Sequence, residues 1–408
     1  MTETASSRLT DTEFPVQREC PFAEPVEYEQ IREQSSIAMV RLTGGGEAWW
    51  ISGHEQGRAV LADRRFSSDR RKANFPFVST DPAIRKRLHA QPLSLISMDG
   101  AEHTQARRAL IGEFTVRRLA ALRPRIQQIV DQCIDEMLTT DQHRADLVKT
   151  LSLPVPSLVI CELLGVPYAD HDFFQEHTAT LVRRNTASEV RQHSIDELNA
   201  YLGALIDRKL ASPDDDLLGR QIARQHRDGT FDRSSMVSLA FLLLVAGHET
   251  TANMISLGVV GLLQHPEQLA MIKDDPDKTP LAIEELLRFF TIVDSVTSRV
   301  ATEDVRFGDT TINAGDGVVV SGLSADWDPT VFADPDRLDL ERGARHHLAF
   351  GFGPHQCLGQ NLARLELQIV FDTLFHRIPT LRLAAPLDKI PFKTDAAIYG
   401  ARELPVAW

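Results

Sequence analysis

Residues 346–364 read "HHLAFGFGPHQCLGQNLAR", which sets Cys357 between a glycine-rich run and what reads as the first turn of a helix. Leu358, Leu362, Leu365 and Ile369 follow at helical spacing, so the thiol is expected at a helix N-terminus. Unpaired amides and the positive end of the helix dipole favour a thiolate there. Gly351, Gly353 and Gly359 let the backbone come close to something flat and large. Three readings suit such a cysteine: a thiol buried in a core, a nucleophile with His355 as its base, or a metal ligand facing a planar macrocycle. The nucleophile leaves the glycines unexplained, whereas the macrocycle accounts for both the thiolate and the close backbone approach.

The 408 residues suffice for a large core, and a composition of 43% hydrophobic and 25% charged residues suits a globular chain without low-complexity tracts. A formal charge of -13 argues against nucleic acid or an anionic membrane as the main partner. Cys20, Cys133, Cys161 and Cys357 lie far apart with no C-x-x-C pair, so neither zinc nor a redox dithiol is indicated, and a reducing, cytoplasmic setting fits. The start "MTETASSRLTDTEFPVQREC" has no apolar core of a signal peptide. The apolar run "MVSLAFLLLVAGHETTANMISLGVVGLL" is interrupted by "HETT" and reads as a buried helix rather than a membrane span.

Helical periodicity dominates residues 103–290, with one long helix from about Ser234 to Gln264. "IAMVRL" and "EAWWIS" around "TGGG" predict a hairpin, and "SRVATEDVRFGDTTINAGDGVVVSG" predicts a small sheet. The expected fold is mainly α with a small β lobe in a single large domain, 1–408. The β-containing lobe is drawn from about 36–65, 293–325 and 380–408, and the helical body from 66–292 and 326–379. The long mixed stretch from Phe66 and the helix pair around Phe173 are candidate lids.

Within "LLLVAGHETTANM", Gly247 weakens the helix interior and Thr250 is placed to bond back to the carbonyl four residues earlier. Ala246 and Thr250 share a face, with Glu249 about a quarter turn away. An alcohol beside a carboxylate in an apolar helix is a proton-delivery pair.

"FGFGPHQCLG" resembles the F-x-x-G-x-x-x-C-x-G signature of the haem-thiolate monooxygenases, the cytochrome P-450 family, with Phe350, Gly353, Cys357 and Gly359 in register. "AGHETT", "EELLR", "PDRLDLER" and "GARELPVAW" are similar to further family landmarks in the same order, so the likeness covers nearly the whole chain. It is closest to soluble actinobacterial members that hydroxylate bulky hydrophobic compounds.

The resemblance implies a cytochrome P-450-like fold and haem b (iron protoporphyrin IX) ligated by Cys357, the metal ligand. Phe350, Gly351, Gly359 and Ala246 would lie against the cofactor, and His103, Arg107, Arg299 and His355 would hold its propionates. Thr250 takes the oxygen-side role and Glu249 the proton relay. Glu285 and Arg288, with Arg337 of "PDRLDLER", form a structural charge cluster. Leu242, Val245, Ala246, Val293, Val296 and Ile398 line the substrate pocket. The implied activity is insertion of one oxygen atom from O₂ into a bulky lipophilic molecule, most simply a hydroxylation, in secondary metabolism or xenobiotic oxidation. Electrons are expected from a ferredoxin and ferredoxin reductase drawing on NAD(P)H. Docking would use a local basic face of Arg107, Arg108, Arg117 and Arg364. The chain is expected to be a monomer with no membrane and no nucleic-acid partner. A non-enzymatic haem-thiolate sensor or carrier is the alternative, and a cysteine hydrolase with His355 as base is a third reading.

Overall fold

The computed structural model describes residues 12–77, 86, 88–89, 93–140, 142–183, 186–295 and 297–408. Part of the candidate lid after Phe66 and the pocket candidate Val296 lie outside the described residues. Backbone contacts cluster into two compact units. The first comprises 1–104, 287–338 and 344–357, and the second 105–286, 339–343 and 358–408.

Seven of the helices bear on the site: α1 (Gly100–Ile111), α2 (Pro154–Leu164), α3 (His171–Val182), α4 (Ser188–Ala211), α5 (Arg233–Gln264), α6 (Thr279–Phe290) and α7 (Gln360–Arg377). The eleven strands among the described residues are short, and they are numbered β1 (Glu13–Phe14) to β11 (Pro405–Ala407) in chain order.

The first unit is built on a six-stranded sheet of order β1-β2-β3-β9-β6-β4. Strands β2 (Ile37–Leu42) and β3 (Glu47–Ile51) form the antiparallel hairpin foreshadowed by "TGGG". Gly45 and Gly46 supply the positive φ angles of its turn, +87° and +82°. β9 (Gly317–Val320) pairs parallel with β3 and antiparallel with β6 (Thr297–Ala301), and β4 (Phe66–Ser67) closes the edge. Alternation along β3 sorts its side chains. Trp49 and Ile51 join Val318, Val320, Val60 and Leu61 in one apolar core, while Trp50 meets Phe14 and Tyr28 on the opposite face. The ribbon of β7 (Val305–Phe307) and β8 (Thr310–Ile312) is a separate two-stranded ladder whose Val305 and Ile312 join the same apolar core.

The second unit is helical. Helix α5 packs against α2, α4 and α7, and every residue from Thr251 to Leu262 is buried. Its length and apolarity would pass for a membrane span, but half of its most apolar window lies inside the protein. Gly247 has a packing reason for being glycine: a Cβ there would sit 3.0 Å from Ile160 of α2. The helix runs unbroken through this residue, so Gly247 admits a neighbour rather than opening a groove. The C-terminal strands β10 (Arg382–Leu383) and β11 pair with β5 (Arg144–Asp146) in a three-stranded sheet of the second unit. Between them, residues 391–402 fold back through the Phe392–Ala401 bridge.

Candidate active site

In the first unit the cysteine loop is closed by its own backbone. The Cys357 N–H donates to the Phe350 carbonyl at 2.8 Å, Gln356 N–H to Gly353 at 3.1 Å, and Gly351 N–H to Leu348 at 2.7 Å. Helix α7 begins only at Gln360. Cys357 therefore precedes the first helical turn instead of standing in it, because Gly359 carries the cap carbonyl that receives the Ala363 N–H. No residue of 349–357 is buried.

Two of the loop glycines are fixed by conformation. Gly351 and Gly353 have φ of +65° and +71°, and a Cβ on Gly353 would stand 2.5 Å from the Leu61 carbonyl oxygen. Gly359 differs: a Cβ there would meet no protein atom within 4 Å, so protein packing does not demand glycine at this position. Gly353→Ala adds the left-handed strain of roughly 1–2 kcal/mol to that clash. The expected outcome is a lowered melting temperature and weakened cofactor retention, read by thermal melts and by the haem content of purified protein.

The loop is held from behind by Asp326. Its carboxylate accepts the Leu348 N–H at 2.6 Å and the Thr291 hydroxyl at 2.8 Å. Burial raises its pKa, against the pull of His347 and these hydrogen bonds. Phe352 is capped by the Arg58 guanidinium at 4.0 Å. Neither Asp326 nor Arg58 carries a sequence signal that ties it to the cysteine.

Of the four expected propionate partners, His103 and His355 are brought together, their rings stacked at 3.9 Å. The Nε2 atom of His355 lies 3.1 Å from the Ser68 hydroxyl. Asp99 ties this corner together by accepting from the Ser68 N–H at 2.8 Å and from the Ser67 hydroxyl. Arg299 is 7% exposed, and its guanidinium donates to the Ser298 carbonyl at 2.8 Å. Burial lowers its pKa to about 10, with Asp99 opposing and Arg70 reinforcing the shift. Burial likewise lowers the pKa of Arg70. No carboxylate lies within salt-bridge distance of Arg70 or Arg299 among the described residues. The buried Arg299 and the half-buried Arg70, with His103 and His355 in the same unit, form a set of donors able to hold a ligand bearing carboxylates. Arg70 is the member that sequence reasoning missed. Arg107 lies one turn beyond His103 on α1 and is half-buried.

In the second unit, α5 presents Leu242, Val245, Ala246 and Thr250 as an accessible stripe on a helix whose later turns are wholly buried. Thr250 donates to the Ala246 carbonyl at 2.8 Å, as its position predicts. Glu249 turns inward and is buried. Its Oε2 accepts from Lys393 Nζ at 3.2 Å and from Asn253 Nδ2 at 3.2 Å. Burial raises the Glu249 pKa, but Lys393, His248 and the hydrogen bonds from Lys393 and Asn253 outweigh it and leave the carboxyl below its ordinary value. Ile398 is buried on the terminal hairpin, and Val293 is half-buried in the first unit.

The residues expected to form a charge cluster have these partners. Glu285, fully buried, accepts from Arg342 Nε at 3.1 Å and from the Asp339 N–H at 3.1 Å. Arg288 donates to the Asp326 carbonyl at 2.9 Å and approaches the Arg337 carbonyl at 3.5 Å. Arg342 stands five residues after Arg337 in the same segment and carries no sequence signal that singles it out.

The sequence profile of the cytochrome P450 family matches residues 172–379. Pentalenic acid synthase of Streptomyces avermitilis is 50% identical over all of this chain and all of its own length. The chain belongs to the cytochrome P450 family. The crystal structure of cytochrome P450 MoxA from Nonomuraea recticatena superposes at a TM-score of 0.92 with 66% identity, covering 97% of this chain and 98% of that one. Mycinamicin VIII C21 methyl hydroxylase of Micromonospora griseorubida, solved with mycinamicin VIII bound, gives 0.91 and 39% identity over 97% of this chain and 100% of its own. The fold is therefore that of a P450, and the chain is a P450 monooxygenase acting with dioxygen and outside redox partners on a hydrophobic substrate. Family membership implies a haem-thiolate cofactor. The donor set suits one: a partly exposed cysteine in a glycine loop, with the buried Arg299 and the half-buried Arg70 in the same unit and no carboxylate within salt-bridge distance of either among the described residues.

Proposed function

We propose that this P450 hydroxylates a bulky lipophilic molecule of the sterol-like, macrolide or statin-like kind, in secondary metabolism or xenobiotic oxidation. The observation that carries the reading is the accessible stripe of Leu242, Val245 and Ala246 leading to Thr250 on α5, just before the wholly buried run from Thr251 to Leu262. Such a surface binds apolar matter beside a hydroxyl and repels small polar solutes. Pentalenic acid synthase and mycinamicin VIII C21 methyl hydroxylase, both relatives of this chain, are named for pentalenic acid and mycinamicin VIII, which supports an organic substrate here. Ile398 would extend the apolar surface.

In this reading the cofactor is haem b, with Cys357 as the iron ligand. His103, Arg107, Arg299, His355 and Arg70 would hold its propionates, with Phe350, Gly351, Gly359 and Ala246 against the ring. The haem, once bound, supplies dioxygen activation, and thiolate donation favours O–O cleavage. The protein's own task is to orient the substrate, exclude water and move protons. Thr250 presents a hydroxyl on the accessible face, and Glu249 is the carboxylate that relays protons toward it. Glu285, Arg288, Arg337 and Arg342 are structural.

Electrons would come from a ferredoxin and its reductase. Arg108 and Arg117 are exposed beside the exposed apolar Ile111 and Val116, a surface suited to an acidic carrier. Arg364 is committed to Glu284 at 2.6 Å, so it contributes less to such docking than Arg108 and Arg117. We take the whole chain to work as one cytoplasmic, monomeric monooxygenase domain that binds neither membrane nor nucleic acid.

Isotopically labelled dioxygen, supplied with a compound that shifts the ferric Soret band, tests the reading: label in the hydroxylated product supports it, and label absent from every product rejects it. Thr250→Ala should retain the carbon-monoxide spectrum and ligand binding while reducing equivalents are diverted to peroxide. Product formed per cofactor consumed is expected to fall on the order of tenfold. Coupling equal to that of the parent would place the relay elsewhere.

A further inference from the structure

Glu249 is held by more than its own helix. The segment 391–402 folds back on itself, with the Lys393 N–H donating to the Gly400 carbonyl at 2.7 Å and the Arg402 N–H to Pro391 at 2.7 Å. This terminal hairpin lies directly on α5 at Asn253. A Cβ at Gly400 would overlap the Asn253 side chain, so glycine is what allows the approach. The same hairpin thereby delivers Lys393 to Glu249, 144 residues away in the chain. Asn253 completes the grip, its amide donating at once to the Glu249 carbonyl at 2.7 Å and to the carboxylate.

The alcohol and the acid are held separately. Thr250 is bonded to its own helix, while the carboxylate of Glu249 is turned to Lys393 and Asn253. The charged or titratable groups facing Glu249 among the described residues are Lys393 from the hairpin and His248 from α5. His248 is buried, 4.0 Å from the carboxylate, and engaged with the Thr178 hydroxyl of α3 at 3.0 Å. Burial lowers the pKa of His248 against the pull of Glu249, and Lys393 is the foremost charge acting on the carboxylate. The Lys393 side chain is 15% exposed and Glu249 only 2%, so solvent reaches the pair from the lysine side.

We propose that Lys393 is a positioning residue for the monooxygenase: it keeps the Glu249 carboxylate charged and turned toward the terminal hairpin, so that each proton delivery requires the carboxylate to leave Lys393. No redox change is involved; a proton from water joins the released carboxylate and passes toward Thr250. The proposal rests on the reading of Glu249 as the relay acid. Glu249 sits below the ordinary carboxylate pKa, so the ion pair contributes stability above that ordinary value and loses it as pH falls through the lowered one. Without the lysine, burial is opposed only by His248 and the Asn253 hydrogen bond, and the carboxyl becomes neutral at a higher pH.

The test compares the holoenzyme with Lys393→Met, Lys393→Gln, Lys393→Arg, Glu249→Gln and the double variant Glu249→Gln/Lys393→Met, using a ligand that shifts the Soret band. The reduced carbon-monoxide spectrum and ligand affinity should match the parent in all five. Lys393→Met and Lys393→Gln should lower coupling about tenfold and shift the pH dependence of coupling to higher pH than in the parent. Lys393→Arg should restore both, and the double variant should be no worse than Glu249→Gln alone. Should Met destabilise the hairpin, Gln still removes the charge while keeping length and polarity. Parent-like coupling and pH profile in both neutral variants, with Glu249→Gln impaired, would overturn the role of Lys393 alone. Parent-like coupling in Glu249→Gln would overturn the relay reading and the role of Lys393 with it. An Arg variant as impaired as Met would show that charge is not what Lys393 contributes.

Discussion

Replacing Cys357 with alanine abolishes the thiolate signature of the reduced, carbon-monoxide-bound protein and essentially all oxygenation of substrate. The other three cysteines cannot substitute. Cys133 and Cys161 are buried, and desolvation pushes both thiols up to about 12, where the thiolate needed for ligation is not formed at neutral pH. Cys20 is exposed in the N-terminal segment, with none of the closed loop that surrounds Cys357. The loop itself should survive the substitution. Its closure depends on backbone hydrogen bonds of Phe350, Gly353 and Leu348 and on the Asp326 carboxylate, none of which involves the sulfur. A variant with a near-parental circular dichroism spectrum and melting temperature, but without the thiolate spectrum, is the expected result. An intact thiolate spectrum in Cys357→Ala would remove the basis of the assignment.

Much of the fold is legible in one dimension because the signals are periodic or local. The hairpin at β2 and β3 has turn glycines between β-branched and aromatic runs, and the long helix through Thr250 has an apolar pattern of sufficient length. The back-bond of Thr250 follows from its position four residues after Ala246. What stays hidden is long-range. Arg70 is one of two adjacent arginines in "SSDRRKANF", and only the folded chain sets it near Arg299 while Arg71 pairs with Asp69. Arg342 lies five residues beyond Arg337 in one segment, and only the folded chain brings it to Glu285. Gly247 suggests a weakened helix, yet its reason is Ile160 on a helix far away in sequence. Helix α7 starts two residues later than its apolar period implies, because Leu358 fits that period although it precedes the cap. Lys393 sits in a tail without periodicity, where no local pattern points to a carboxylate 144 residues earlier.

Val245→Asp is expected to abolish binding of the best bulky ligand while leaving the carbon-monoxide spectrum intact. Val245 lies on the accessible stripe of α5 with Leu242 and Ala246 and is itself half-buried. A carboxylate there would lose its water when an apolar ligand covers the stripe. Lys393 of the terminal hairpin is already bonded to Glu249. Covering an unpaired charge costs several kcal/mol, and about 4 kcal/mol corresponds to a loss of roughly 1,000-fold in affinity. The fold should tolerate the change in the absence of ligand, since the helix is anchored by the buried run from Thr251 to Leu262 and by α2 at Gly247. Val245→Thr, isosteric and uncharged, should lose far less. The measurement is a titration of the ferric Soret shift for the parent and both variants. If Val245→Asp binds as the parent does, the stripe is not the substrate surface, and the preference for bulky lipophilic compounds loses its structural support.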